Sequence, residues 1–395
     1  MIKLIHNEII KLVKRPKTLI VFICFVVLVG LVCFGTYKND VNMAKYESPE
    51  FQIKNMEESI SYMKEELKNG KVSEEQKKLT EQDIANMEEQ IKTLKENKDK
   101  PYDYKNDINT QIKKIDDNIS HETDESRKNS LSLEKQKLEK QLELGISPKD
   151  TNRLNGFIYL NELITILGAI FLAAGIAIFS SDMVSGEYTP ATMKFLLIQP
   201  VSRSKVLFAK YITVLISVMT AIFSVEGISY IVMGLIFGFG NSKNPVITGA
   251  RYVFDISKTE GGLHPMKIVP GSQYLTTIGS FTVKVLLFQL LFMIAVTTFV
   301  FMISTVFKSS MVSMAVSTIL IIVFSIVQNI PGASKLAPYL FTIYGDGSNL
   351  LNGNYSMSLK LPSLTPAFGV VVLIMWIVVS YTIAHTAFVK KDILI

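Results

Sequence analysis

Six apolar stretches decide what this chain can become: residues 18–36, 157–180, 211–238, 276–307, 311–330 and 367–389. Each can cross a bilayer, whose hydrocarbon core takes roughly 20 mostly apolar residues as a helix. No water inside that core can bond a free N–H or C=O, so each stretch is expected as a helix that satisfies its own backbone. The expected fold class is an all-α integral membrane protein with six transmembrane helices. The two cysteines, Cys24 and Cys33, both fall in the first stretch, which argues against a disulfide framework or a cysteine metal cluster. That stretch lacks a small-residue cleavage site and reads as a retained span.

Basic residues orient the spans. Lys3, Lys11, Lys14, Arg15 and Lys17 lie in residues 1–17, and Lys194, Arg203, Lys205 and Lys210 in residues 181–210. Lys308 follows span four, and Lys390 and Lys391 open the 390–395 tail. Cytoplasmic segments carry excess Lys and Arg, so both termini are expected in the cytoplasm of a multi-pass cell-membrane protein. Residues 239–275 then lie outside although they carry Lys243, Arg251, Lys258 and Lys267. Inverting the chain would export four basic segments to retain one. The net charge of +6 is spread over loops and tails. It suits membrane topology and lipid contact, not a nucleic-acid surface.

Residues 37–156 differ in kind, being rich in Lys, Glu, Gln and Asn. Apolar residues recur there in steps of three and four: Ile53, Met56, Ile60, Met63, Leu67; then Ile84, Met87, Ile91, Leu94; then Ile108, Ile112, Ile115, Ile119. That spacing predicts coiled-coil-like helices, with a looser fourth segment over 131–144. Asn69-Gly70 ends one helix, and Ser73 with Gln76 makes a capping box for the next. The helices are expected to fold back on one another as an extracytoplasmic helical domain, because both ends of the block return to the membrane. It reads either as a stalk or as a partner-binding ectodomain.

Between spans two and three lies "SGEYTPATMKFLLIQPVSRSKVLFAK", residues 185–210. It resembles the cytoplasmic loop of type-2 ABC export permeases. Glu187 and Thr192 precede Lys194, Leu196 and Leu197; Pro200, Ser202, Arg203 and Lys205 follow; Lys210 enters the next span. Pro190 and Ala191 stand where that family commonly has a Gly before the Thr. The amphipathic segment 1–17, the insertion after span one and the order of spans extend the resemblance over most of the chain.

The resemblance implies a short coupling helix docking on a separate ABC ATPase subunit. Glu187, Thr192, Lys194, Phe195, Leu196, Leu197, Arg203 and Lys205 would make that coupling surface, with Phe195 and the two leucines filling an apolar groove. It also implies a re-entrant or interfacial helix within 331–366, with Leu336–Tyr344 as candidate. A second permease copy or a related permease would complete the transporter in a bacterial membrane. Drugs, antimicrobial peptides, ions, lipids and polysaccharides are all cargo of such exporters.

No GxxxxGK[ST], HExxH or GxSxG occurs. Catalytic, metal and cofactor residues are therefore not expected in this chain; ATP and magnesium would sit in the partner ATPase. The alternative is a membrane-anchored sensor or scaffold whose coiled-coil ectodomain binds a partner.

Ionisable residues inside spans are costly and point to function by default. Four qualify: Glu162, Glu226, Lys284 and His385. Glu226 and Lys284 are expected to pair across spans three and four, or else Glu226 meets substrate or an ion. Trp376 falls in mid-span and is expected in bundle packing or at a cavity wall.

Overall fold

A computed structural model describes residues 1–68, 74–97, 103–148, 153–188, 201–257, 259, 264–328, 330 and 334–390. It contains two compact units, residues 33–107 and residues 1–32 with 108–395.

The smaller unit holds the end of helix α2 (Pro16–Glu47), then α3 (Pro49–Lys68) and α4 (Glu74–Asn97). Ile60, Ile84 and Ile91 are buried together, flanked by Ile53, Met56, Met63, Leu67 and Met87. Eight of the nine residues in the first two heptad seams therefore meet in one interface. Lys64 bonds Glu88 and Lys95 bonds Glu57, each at 2.8 Å. Seven residues forward on α3 is seven back on α4, so the two helices run antiparallel. The turn residues Asn69, Gly70 and Ser73 lie outside the described residues.

The larger unit begins with α1 (Ile2–Val13) and the first part of α2, whose Leu19, Ile20, Ile23, Val27 and Leu31 are exposed, as suits a helix facing lipid. Helices α5 (Tyr104–His121) and α6 (Glu125–Glu143) enter from the charged block, linked by Lys135 and Asp116 at 2.7 Å. Asp124 caps α6 by accepting from the amides of Ser126 and Arg127. Here the seam residues Ile108 and Ile115 are buried. The stretch 37–156 is thus divided between the two units.

Helix α6 lies against four short strands that the sequence had suggested only as loop. β1 (Pro245–Thr248) pairs antiparallel with β4 (Tyr274–Thr277), and β2 (Tyr252–Phe254) with β3 (Met266–Ile268). Ser126 donates to the Ile268 carbonyl and Ser130 to the Gln273 side chain, both at 2.8 Å. Beyond β2, the Ser257 hydroxyl at 2.6 Å and the Lys267 ammonium at 3.0 Å hold the Asp255 carboxyl down at about 2.

Among the described residues, five helices are long and apolar enough to cross a membrane, or six if one bent pair counts as a span. They are α2, the pair α7 (Gly156–Ala169) and α8 (Phe171–Ser180), α9 (Arg203–Phe237), α10 (Ile278–Val306), α11 (Ser310–Val327) and α14 (Pro366–Lys390). The mostly helical, multi-pass architecture expected from the apolar stretches is present. α10 is the central helix: Phe281, Val285, Phe288, Phe292, Val296, Phe299 and Ile303 are all buried along it.

The second span departs from expectation. Residues 157–180 read as one helix, but the chain bends by 62° where α7 gives way to α8. Gly168 lies at this bend. Its backbone packs directly on Gly345, so closely that a Cβ on either glycine would fall inside the other's carbonyl. We expect Gly168→Ala and Gly345→Ala each to destabilise the bundle by about 1–3 kcal/mol, the usual cost of overpacking. Thermal unfolding of the detergent-solubilised chain checks this; wild-type melting of both variants would contradict it.

Gly345 belongs to the segment before the last span. The expected helix at Leu336–Tyr344 is instead two 3-10 turns, Ser334–Tyr339 and Phe341–Gly345. Pro338 interrupts any α-helical ladder there, and Phe341, Ile343 and Tyr344 are buried in the main core. Two short helices follow, α12 (Gly347–Leu351) and α13 (Asn354–Ser358). Asp346 caps α12 and also accepts from Thr165 of α7 at 3.1 Å and from Tyr355 at 3.2 Å. Trp376 packs on Phe299, Phe324 and Phe341 and donates to the Tyr339 carbonyl at 2.9 Å, a packing role.

Candidate functional site

The loop between the second and third spans leaves the bundle at residue 188 and returns at 201. Residues 189–200 lie outside the described residues, and with them Thr192, Lys194, Phe195, Leu196 and Leu197. The two roots of the loop are described, and they are held with unusual firmness.

The outgoing root is the run Ser181–Glu187. The Ser304 hydroxyl on α10 accepts from the amides of Val184 at 3.0 Å and Ser185 at 3.1 Å. Ser313 on α11 donates to the Ser181 carbonyl at 2.6 Å. Met183, Val184 and Ser185 are buried, so these bonds replace the water that an exposed turn would use.

The returning root is the first two turns of α9. Lys210 is fully buried, with its Nζ 2.6 Å from Glu8 Oε2 and 2.9 Å from Glu187 Oε1. Glu8 comes from α1, whose Leu12 inserts into the core and whose Lys11 approaches both carboxylates, at 3.4 and 3.8 Å. A second link lies nearby: Lys17 reaches Asp182 at 3.1 Å and Arg15 reaches it at 3.6 Å. The amphipathic N-terminal helix is thereby joined to both roots of one loop. Two buried carboxylates and one buried ammonium leave one negative charge over, and half-exposed Lys11 supplies the compensating cation. A buried pair is stable only while each partner remains, since a lone buried ion is costly.

Glu187, expected on a docking surface, is 3% exposed and faces inward to Lys210. Arg203 and Lys205 stand on the first turn of α9. Arg203 donates to the Val389 carbonyl at 3.3 Å, tying α9 to the end of α14, and Lys205 is exposed. His385 on α14 lies 3.1 Å from the Ser204 hydroxyl. Glu8 and Asp182 were not singled out in the sequence. Glu8 sits on the face of α1 that carries Leu12, four residues on, and that spacing is the one signal that could have found it.

The remaining intramembrane candidates do not converge. Glu162 stands on the exposed side of α7. The expected Glu226–Lys284 pair does not form. Lys284 is exposed and donates to the Tyr274 hydroxyl at 3.2 Å, while Glu226 is buried and accepts from Gln289 Nε2 at 2.7 Å. Five residues on a helix turn about 140° beyond a full circle, so Lys284 and Gln289 point to different sides of α10.

This arrangement of apolar spans around a rooted loop agrees with the family comparison. Residues 2–393 match the family described as ABC-2 family transporter protein. The chain belongs to the ABC-2 transporter family. It is also similar to a Bacillus subtilis (strain 168) protein named "Uncharacterized protein YhcI", 28% identical over 238 residues. That match covers 58% of this chain and 65%, just under two thirds, of the relative. ABC-2 permeases are transmembrane subunits without an ATPase of their own and normally work with an ABC ATPase. The transport-subunit assignment of this ABC-2 permease rests on the family as a whole.

Proposed function

We propose that this ABC-2 permease is the transmembrane subunit of an ATP-driven exporter, and that residues 187–205 couple it to a separate ABC ATPase. The observation that carries the reading is the Glu8–Lys210–Glu187 cluster. A loop that relays force needs stiff roots, and here buried Lys210 joins the two roots through Glu187 and ties them to the amphipathic N-terminal helix through Glu8. Phe195, Leu196 and Leu197 supply the apolar anchors, with Thr192, Lys194, Arg203 and Lys205 around them. ATP and magnesium belong to the partner. A second permease, identical or related, completes the pathway, and a drug, antimicrobial peptide or ion is the cargo class. Both termini face the cytoplasm, and residues 37–156 project outside as a helical ectodomain.

Two measurements test this. Purified alone, the chain should hydrolyse no ATP; with its ABC ATPase it should co-purify and show substrate-stimulated hydrolysis. Failure to bind any ABC ATPase encoded beside it would sink the assignment. For orientation, a cysteine at Ser73 should label in intact cells and one at Ser204 only after permeabilisation. Labelling of both from one side would overturn the topology.

A further inference from the structure

Glu226 and Gln289 are each 1% exposed and face one another between α9 and α10. One hydrogen bond joins them, from Gln289 Nε2 to Glu226 Oε1 at 2.7 Å. The other atom of each group, Glu226 Oε2 and Gln289 Oε1, is a buried oxygen with no donor. Two orphaned acceptors on facing groups is an arrangement that folding does not tolerate without compensation. Turning the amide over gives no relief, because it trades one N–H···O bond for another and still sets an amide oxygen against a carboxylate oxygen.

Nearby residues do not supply the missing donor. The Ser229 hydroxyl is spent on the Glu226 backbone carbonyl at 2.8 Å. On α10, Lys284 is turned away to Tyr274. On α7, Glu162 stands on the exposed side and Asn161 donates to Thr282 and to the Phe157 carbonyl. On α9 itself, Tyr230 packs against Phe157 and Phe239. α8 carries no titratable residue. On α14, Tyr381 and His385 lie at the far end, with Tyr381 against Tyr211. Glu8 of α1 meets Lys210, sixteen residues from Glu226 and so about 24 Å along α9. No ion pair reaches Glu226 among the described residues.

One added atom satisfies both oxygens. A carboxylic acid facing a primary amide makes two antiparallel hydrogen bonds, N–H to one carboxyl oxygen and O–H back to the amide oxygen. We propose that Glu226 and Gln289 form a proton-binding site between the third and fourth spans, with the proton on Glu226 Oε2 donated to Gln289 Oε1. A metal cation is the poorer ligand for this geometry. Hard cations such as calcium take about six to eight oxygens, and only two are free here. The proton is taken from water and returned to it. Its loss leaves an unpaired carboxylate between α9 and α10 and weakens their contact, so the packing of these two spans depends on proton occupancy.

The test uses the full chain in lipid nanodiscs. Infrared difference spectra of wild type against Glu226→Gln at neutral pH should show a protonated-carboxyl carbonyl band that the variant lacks. In Gln289→Leu the band should move to the frequency of a carboxyl without its hydrogen-bond partner. Thermal unfolding adds an independent readout. Wild type should lose stability as pH rises above the ordinary carboxyl range, where the unfolded chain releases this proton and the folded chain keeps it, and should level off once Glu226 ionises. Glu226→Gln keeps two hydrogen bonds as an amide–amide pair, so it should unfold at or above the wild-type temperature without that loss. Absence of the band, or a Glu226→Gln chain that is unstable or misfolded at every pH, would mean an ionised Glu226 and would overturn the site.

Discussion

Lys210→Met is expected to be the most damaging single substitution in the bundle. It leaves Glu8 and Glu187 buried and facing each other with only half-exposed Lys11 for compensation. Stranding one partner of a buried ion pair costs about 3–5 kcal/mol, and here two like charges are stranded together. Glu8→Gln should cost less, because Lys210 and Glu187 remain a neutral pair. The decisive comparison is Glu8→Gln/Glu187→Gln/Lys210→Met, which removes every charge of the cluster and should recover most of the stability lost in Lys210→Met. Thermal unfolding and the monodisperse yield of solubilised chain read the series. A triple variant no better than Lys210→Met would mean that the cluster's attraction far exceeds its desolvation cost, against the expectation for buried pairs. The recovered triple variant also isolates function: if the cluster stiffens the loop roots, it should fold yet respond less to its ATPase.

Phe195→Ala/Leu196→Ala is expected to separate transport from folding. Hot spots at protein interfaces are few and sit in well-packed, desolvated pockets; truncating one costs about 2 kcal/mol, roughly 30-fold in affinity. The double variant should insert and fold as wild type, lose co-purification with the ATPase and lose substrate-stimulated hydrolysis. Arg203→Ala should act differently, because Arg203 holds the Val389 carbonyl at 3.3 Å and so ties span three to span six. Its loss should show in thermal stability before it shows in ATPase affinity. Wild-type binding and hydrolysis by the Phe195/Leu196 variant would leave the loop only a topological anchor.

These two predictions draw on different kinds of information. The Phe195/Leu196 test comes from a local pattern within a dozen residues. The Lys210 test comes from residues 202 positions apart, joined only by the packing of α1 on α9. The same division holds elsewhere. The α3–α4 interface was legible because its seam residues recur within each helix and a coiled-coil contact reads that period directly. The Glu226 partner was misread because both Lys284 and Gln289 lie on α10 and opposite charge was the stronger cue. Helical phase would have corrected it, since Gln289 shares the buried face with Phe281, Val285, Phe288 and Phe292.

The sequence by itself determined that the chain is a mostly helical, multi-pass membrane protein. Lipid offers the backbone no partner, so some twenty apolar residues in a row have one outcome. Its loop motif, together with the order of spans and insertions around it, also pointed to the ABC-2 permeases. Only the tertiary structure decided that the second span bends at Gly168, that the 239–275 segment carries paired strands, and that Glu187 turns inward to Lys210 instead of outward to a partner. Each of these depends on what lies opposite in space. At the bend, Gly168 and Gly345 pack backbone to backbone, a contact that residues 177 positions apart make only in the folded bundle. The strands lie along the serines of α6, and the inward turn exists because Glu8 and Lys210 make burial of a third charge favourable.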